Sequence, residues 1–226
     1  MKVLIVAAHP DDEVLGAGGT LCHHLAQKDS VSVLILGEGM TSRYDKREEA
    51  DFEKVKALRE CSKKALAGLG VKDVRYHDFP DNRFDSVPLL DIVKVVEKTK
   101  KELQPELIYT NHAGDLNVDH RQTCQAVLTA TRPLAGESVK RILSFEVASS
   151  TEWNFAERNH AFLPNVFIDI SAYVEAKVKA MNAYSSEVLP YPHPRSPEAL
   201  RTLASWRGVQ CGKKAAEAFQ LIREIS

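Results

Sequence analysis

Val3-Leu4-Ile5-Val6-Ala7 is an uninterrupted apolar run, and Ala8, His9, Pro10, Asp11, Asp12 and Glu13 follow it directly. A strand with one solvated face alternates apolar and polar residues. A run without alternation reads instead as a strand buried on both faces, the central position of a parallel sheet. Such a strand needs helices on both sides, and here one imidazole and three carboxylates fall at its carboxyl end. In open α/β sheets that end is where ligands bind. Pro10 and the acids also suit a turn and a helix start, but a cap requires only one short polar residue. Unpaired charges beside a buried strand are costly, and a cation would relieve them.

The rest of the chain repeats the pattern. Strands are predicted at Val3–Ala7, Val31–Leu36, Val71–Tyr76, Leu107–Thr110, Ile142–Glu146 and Val166–Asp169, with helices near Gly19–Gln27, Ala50–Gly68, Leu89–Leu103 and Arg121–Thr131. Interleaved elements of these lengths imply right-handed βαβ units, an α/β fold with a mostly parallel sheet and helices on both faces. From Ser171 a helical C-terminal tail is expected, two or three helices around Leu189-Pro190-Tyr191-Pro192-His193-Pro194. With no repeat or linker in view, residues 1–226 are expected to form a single domain.

A formal charge of −1 over 226 residues gives no reason to expect nucleic acid or an anionic membrane as partner. No apolar stretch approaches the ~20 residues of a membrane span, and the run after Lys2 is too short for a signal peptide. Cys22, Cys61, Cys124 and Cys211 are widely separated, which fits free thiols in a reducing cytoplasm. Gly16-Ala17-Gly18-Gly19 lacks the spacing of a dinucleotide-binding turn, and three acids beside it would repel a pyrophosphate. Those glycines read as small residues that let the first helix approach closely.

His9 and Asp12, three apart across a proline turn, can aim at one centre. A catalytic zinc site takes three protein ligands and leaves a position for water. The third is sought in Asn111-His112-Ala113-Gly114-Asp115-Leu116-Asn117-Val118-Asp119-His120, which leaves another strand end. His120, with Asp119 adjacent, is the stronger candidate; His112 reads as a loop histidine.

The pair of segments Ala8-His9-Pro10-Asp11-Asp12-Glu13 and Asn117-Val118-Asp119-His120 resembles the PIG-L/LmbE-like family of zinc-dependent N-acetylglucosaminyl deacetylases. The resemblance implies a Rossmann-like domain and zinc, or another divalent transition metal, held by His9, Asp12 and His120. It implies Asp11 as general base, a role that suits an acid adjacent to a ligand but not itself ligating. Glu13 and Asp119 are the carboxylates available to support the ligand histidines. Many relatives carry a histidine where this chain has Asn117, whose amide donates a hydrogen bond but no proton; His193 is the imidazole proposed to replace it. Arg59, Asp81 and Arg43 occupy positions suited to sugar contacts. The function implied is removal of an N-acetyl group from an amino sugar or sugar conjugate. The alternatives are an amidase acting on a thiol- or lipid-linked conjugate and a non-catalytic metal-holding module. The proline-rich tail is compatible with a homo-oligomer.

Overall fold

The computed structural model describes residues 1–155 and 161–226. Among these residues seven strands form one sheet: β1 (Lys2–Ala7), β2 (Ser30–Gly37), β3 (Asp73–Phe79), β4 (Leu107–Asn111), β5 (Arg141–Phe145), β6 (Val166–Asp169) and β7 (Ala216–Glu224). Their spatial order is β3-β2-β1-β4-β5-β7-β6. The first five run parallel, and β7 lies antiparallel between β5 and β6. Among the described residues six α-helices accompany them: α1 (Asp12–Ala26), α2 (Phe52–Leu69), α3 (Leu89–Leu103), α4 (Val118–Ala130), α5 (Val174–Asn182) and α6 (Pro197–Cys211).

The β1 run behaves as its composition dictates. Val3, Ile5 and Ala7 pack on one face with Val14 and Leu21 of α1, Leu58 and Leu66 of α2, and Val178 and Met181 of α5. Leu4, Val6 and Ala8 pack on the other with Ile92 and Val96 of α3 and Ala126 and Val127 of α4. Because β4 pairs with β1 on the side away from β2, the connections leaving β1 and β4 diverge to opposite sides of the sheet. A crevice opens between them, at the topological switch point.

Several element boundaries differ from the sequence reading by a residue or more, and two of them matter for the site. Helix α1 begins at Asp12, not near Gly19, and α4 begins at Val118, not Arg121; both helices therefore start inside the charged clusters. Strand β3 spans Asp73–Phe79 and so starts two residues later than expected. The tail contains the expected helices α5 and α6 and, in addition, strand β7. Its alternation in Ala216–Glu224 is obscured because Glu217 is buried.

Glu217 is an unusual inward charge. Its carboxylate accepts the N–H groups of Gly19 (3.0 Å) and Thr20 (2.7 Å), while Lys177 Nζ donates to Glu217 Oε1 (2.6 Å) and to the Leu15 carbonyl (2.7 Å). A buried ion pair is thus inserted beside the middle of α1, taking backbone groups that an α-helix otherwise pairs internally. Gly16 is required one turn earlier, since a Cβ there would lie 2.2 Å from Phe145 of β5.

Candidate active site

Asp11 occupies the N-cap position of α1 with φ 114° and ψ −30°. That backbone conformation costs a residue bearing a Cβ on the order of 1–3 kcal/mol. Its carbonyl accepts the first helical N–H groups, from Val14 (3.0 Å) and Leu15 (2.9 Å), but its carboxylate makes no capping bond. The carboxylate faces Arg195 instead, whose Nη1 donates to Asp11 Oδ2 at 2.8 Å. The helix-cap explanation of the acid cluster therefore fails for Asp11.

Asp12 starts α1 and its Oδ2 accepts the His9 N–H (3.0 Å) and the Asn111 amide (3.0 Å). The same oxygen lies 3.2 Å from His120 Nε2 and 3.7 Å from His9 Nδ1. One ligand atom from each of His9, Asp12 and His120 falls within 4.8 Å of the other two, and all three residues are held by buried surroundings. Two imidazoles and a carboxylate converging on one point form a donor set suited to zinc or a similar divalent ion. His9, Asp81 and Asp119 satisfy the same distance. Asp119, however, spends both oxygens on the N–H groups of Asn82 (2.6 Å) and Phe84 (2.8 Å) as well as on His9 Nε2 (2.8 Å). That makes it a support for the imidazole, leaving His9 Nδ1 toward Asp12.

Asp115 supports the second imidazole. Its Oδ2 lies 3.1 Å from His120 Nδ1, although the ring N–H is not aimed at it well enough for a hydrogen bond. Thr151 Oγ1 (2.5 Å) and Ser150 Oγ both donate to Asp115. Glu13, expected to be available for this task, does not perform it: its Oε2 accepts the Asp11 N–H at 2.9 Å.

The electrostatics follow from burial and from the charges packed around each group. Burial by itself lowers the pKa of His120, but Asp12 and Asp115 outweigh it and raise the value to about 10. His9 is raised in the same way, with Asp119 foremost among the opposing groups. Burial pushes Asp12 up, and His120 and His9 override it to hold this carboxyl well below the usual range. Asp11 goes the other way. Burial raises it to about 7 against the opposing Arg195 charge. Two adjacent acids are thereby separated in function by their surroundings.

A cavity of about 200 Å³ opens over this group, and its lining includes Met40, Arg43, Asp81, Asn117, Glu187 and Arg195. Of the residues predicted from sequence, His9, Asp11, Asp12, Asn117, His120, Asp81 and Arg43 meet here. Asn117 caps α4, its side-chain oxygen accepting the Asp119 N–H at 2.9 Å. Asp81 Oδ2 accepts the Ser42 hydroxyl at 2.6 Å. Arg43 donates to both oxygens of Glu187 at 2.8 Å.

Two predicted residues stand elsewhere. Arg59 pairs with Asp78 and lies over the Tyr76 ring at 5.0 Å, along the outer edge of α2 and β3. His193 does not line the cavity; its Nδ1 accepts the Arg195 N–H at 3.1 Å and its ring meets Trp153 edge-on. The tail groups that do reach the cavity are Glu187 and, two residues beyond His193, Arg195. Its Nη1 bridges Asp11 and Glu187 (3.1 Å), and its Nε donates to Ser149 Oγ at 2.8 Å. No local sequence signal ties Arg195 to Asp11 or Glu187 to Arg43, because those partners lie more than a hundred positions away.

The site is a switch-point crevice of an α/β protein with a mostly parallel sheet, and at its floor lie a separate buried acid and a His-Asp-His set that could hold a metal ion. The sequence model of the PIG-L family, described as GlcNAc-PI de-N-acetylase, matches residues 4–131. The chain belongs to that family. It is 29% identical over 190 residues to a probable N-acetyl-alpha-D-glucosaminyl L-malate deacetylase 2 of Bacillus anthracis, covering 82% of this chain and 80% of the relative. It is 27% identical over 234 residues to the diacetylchitobiose deacetylase of Thermococcus kodakarensis, covering 99% and 84%. Among solved structures, the N,N'-diacetylchitobiose deacetylase of Pyrococcus horikoshii shares the fold, with a TM-score of 0.77 at 21% identity over 98% of this chain and 84% of that one.

Proposed function

We propose that this protein hydrolyses the acetamide of an N-acetylated amino sugar or sugar conjugate at a zinc ion held by His9, Asp12 and His120. The observation that carries the reading is the convergence of those three ligand atoms within 4.8 Å beside Asp11, an acid that is buried, cavity-facing and outside the ligand set. The named activities of the two relatives described above, both deacetylases, support it.

Bound there, the metal supplies Lewis-acid polarisation of a carbonyl and lowers the pKa of water toward ~7. The protein supplies the rest. Asp11 is placed to accept the proton of the attacking water and to return it to the departing nitrogen, so acetate and a free amine result. Its pKa of about 7 suits both halves of that transfer. Asn117 cannot act as an acid, and with His193 outside the cavity, Asp11 carries both proton transfers in this scheme. Arg195 holds the Asp11 carboxylate toward the cavity. Asp81 and Arg43 are the polar groups offered to sugar hydroxyls, and the four free cysteines support a cytoplasmic location.

The test is metal analysis of the purified protein, followed by acetate release from diacetylchitobiose and from N-acetylglucosamine conjugates, with and without chelator. Acetate release that stops with chelator and returns with zinc is expected. No metal uptake, or hydrolysis indifferent to chelator, overturns the proposal.

A further inference from the structure

We infer that Glu13, held in turn by Tyr184, is a positioning residue that fixes the backbone of Asp11 in its cavity-facing conformation. The inference rests on the reading of Asp11 as the general base, and it begins from a conformational oddity. An N-cap residue ordinarily has extended backbone angles, and a capping box secures it with a Glu at the third helical position reaching back to its N–H. Here the carboxylate comes from the second helical position, and the residue it secures sits at φ 114°. An acid one residue closer is what reaches that rotated N–H. Glu13 Oε2 accepts it at 2.9 Å.

Glu13 has no solvent exposure, nor has Tyr184. The Tyr184 hydroxyl donates to Glu13 Oε1, so the two carboxylate oxygens serve different masters: one takes the catalytic turn, the other the end of α5. Ser62 of α2, whose Oγ accepts the Tyr76 hydroxyl of β3 at 3.0 Å, stands near the Tyr184 hydroxyl. A tyrosine just beyond α5 thus braces, through Glu13, one peptide N–H at the start of α1. Without the Glu13 acceptor, Asp11 loses the bond that compensates its unfavourable φ. Relaxation to the extended conformation would turn the carboxylate away from Arg195 and the cavity. Neither Glu13 nor Tyr184 lines the cavity, so a direct contact with substrate is not their route of action.

The test compares Glu13→Leu, Glu13→Gln and Tyr184→Phe in metal-loaded protein, reading metal content, KM, kcat and hydrogen exchange of the Asp11 amide. Leucine removes the acceptor, and a displaced base predicts a kcat loss of about 100-fold with KM and metal content unchanged. Glutamine keeps an oxygen for the Asp11 N–H and can donate its amide to the tyrosine oxygen, so it should restore most of the turnover. Tyr184→Phe should fall between them, and it carries the test if Glu13→Leu fails to fold. Asp11 amide exchange should accelerate in the leucine and phenylalanine variants but not with glutamine. Unchanged kcat in folded, metal-loaded variants overturns the inference, as does glutamine failing as badly as leucine. A wild-type protein without hydrolytic activity would overturn the proposed function instead, and the Asp11 exchange rates would then decide the positioning role alone.

Discussion

Replacing Asp11 with Asn should raise the stability of the metal-free protein while sharply slowing turnover. The carboxyl is 3% exposed, and its pKa stands at about 7 against an ordinary value of 3.8, chiefly through burial. A carboxyl with a raised folded-state pKa is bound to its proton more tightly in the native protein than in the unfolded chain. Its ionisation therefore subtracts stability as pH climbs from about 4, and the full penalty is present above about 7. The gap corresponds to about 4 kcal/mol at pH 8, an upper figure. Asparagine has the same shape and no charge, and Arg195 keeps its second partner, Glu187, at 3.1 Å. Urea melts of the metal-free proteins should show Asp11→Asn gaining over the wild type progressively between pH 4 and pH 8, with no difference below pH 4. Loss of a general base costs about 10²–10⁴-fold in rate, which is about 3–5 kcal/mol of barrier. Kinetics on the metal-loaded variant should show that loss with metal content intact. A variant that is less stable than wild type at pH 8, or that turns over normally, would refute the reasoning.

Metal uptake near pH 7 should release a proton, because Asp12 and Asp115 hold His120 at about 10 and a ligand imidazole must be neutral; calorimetry in buffers of differing ionisation enthalpy measures it, and zero release counts against His120 as ligand. Lys177→Met leaves Glu217 buried without its cation and should cost about 3–5 kcal/mol in denaturant melts. Gly16→Ala drives a methyl into Phe145 and should destabilise by about 1–3 kcal/mol without altering metal binding. Arg59→Ala should leave kcat and KM unchanged in the acetate-release assay, since Arg59 faces Asp78 and Tyr76 and not the cavity.

Much of the architecture is written locally. The unbroken Val3–Ala7 run demands cover on both faces, and α3 falls on the Leu89–Leu103 periodicity that predicts it. The members of the His-Asp-His group were legible for a related reason: each sits within a few residues of a strand end, so β1 brings His9 and Asp12, and β4 brings His120, to the same edge of the sheet. What the sequence alone determined is therefore the α/β layering, the edge at which chemistry collects, and the His-Asp-His set. Only the tertiary structure decided the partners. Glu13 supports Asp11 and not a ligand histidine, Asp115 stands behind His120, and Arg195 rather than His193 enters the cavity. Strand β7 was hidden for a similar cause, since the inward Glu217 is tolerable only where Lys177 and the N–H groups of α1 meet it. Periodicity and spacing report which way a backbone must face. They do not report which distant side chain neutralises a buried charge, because that pairing is fixed only when helices and loops from far along the chain close over the sheet.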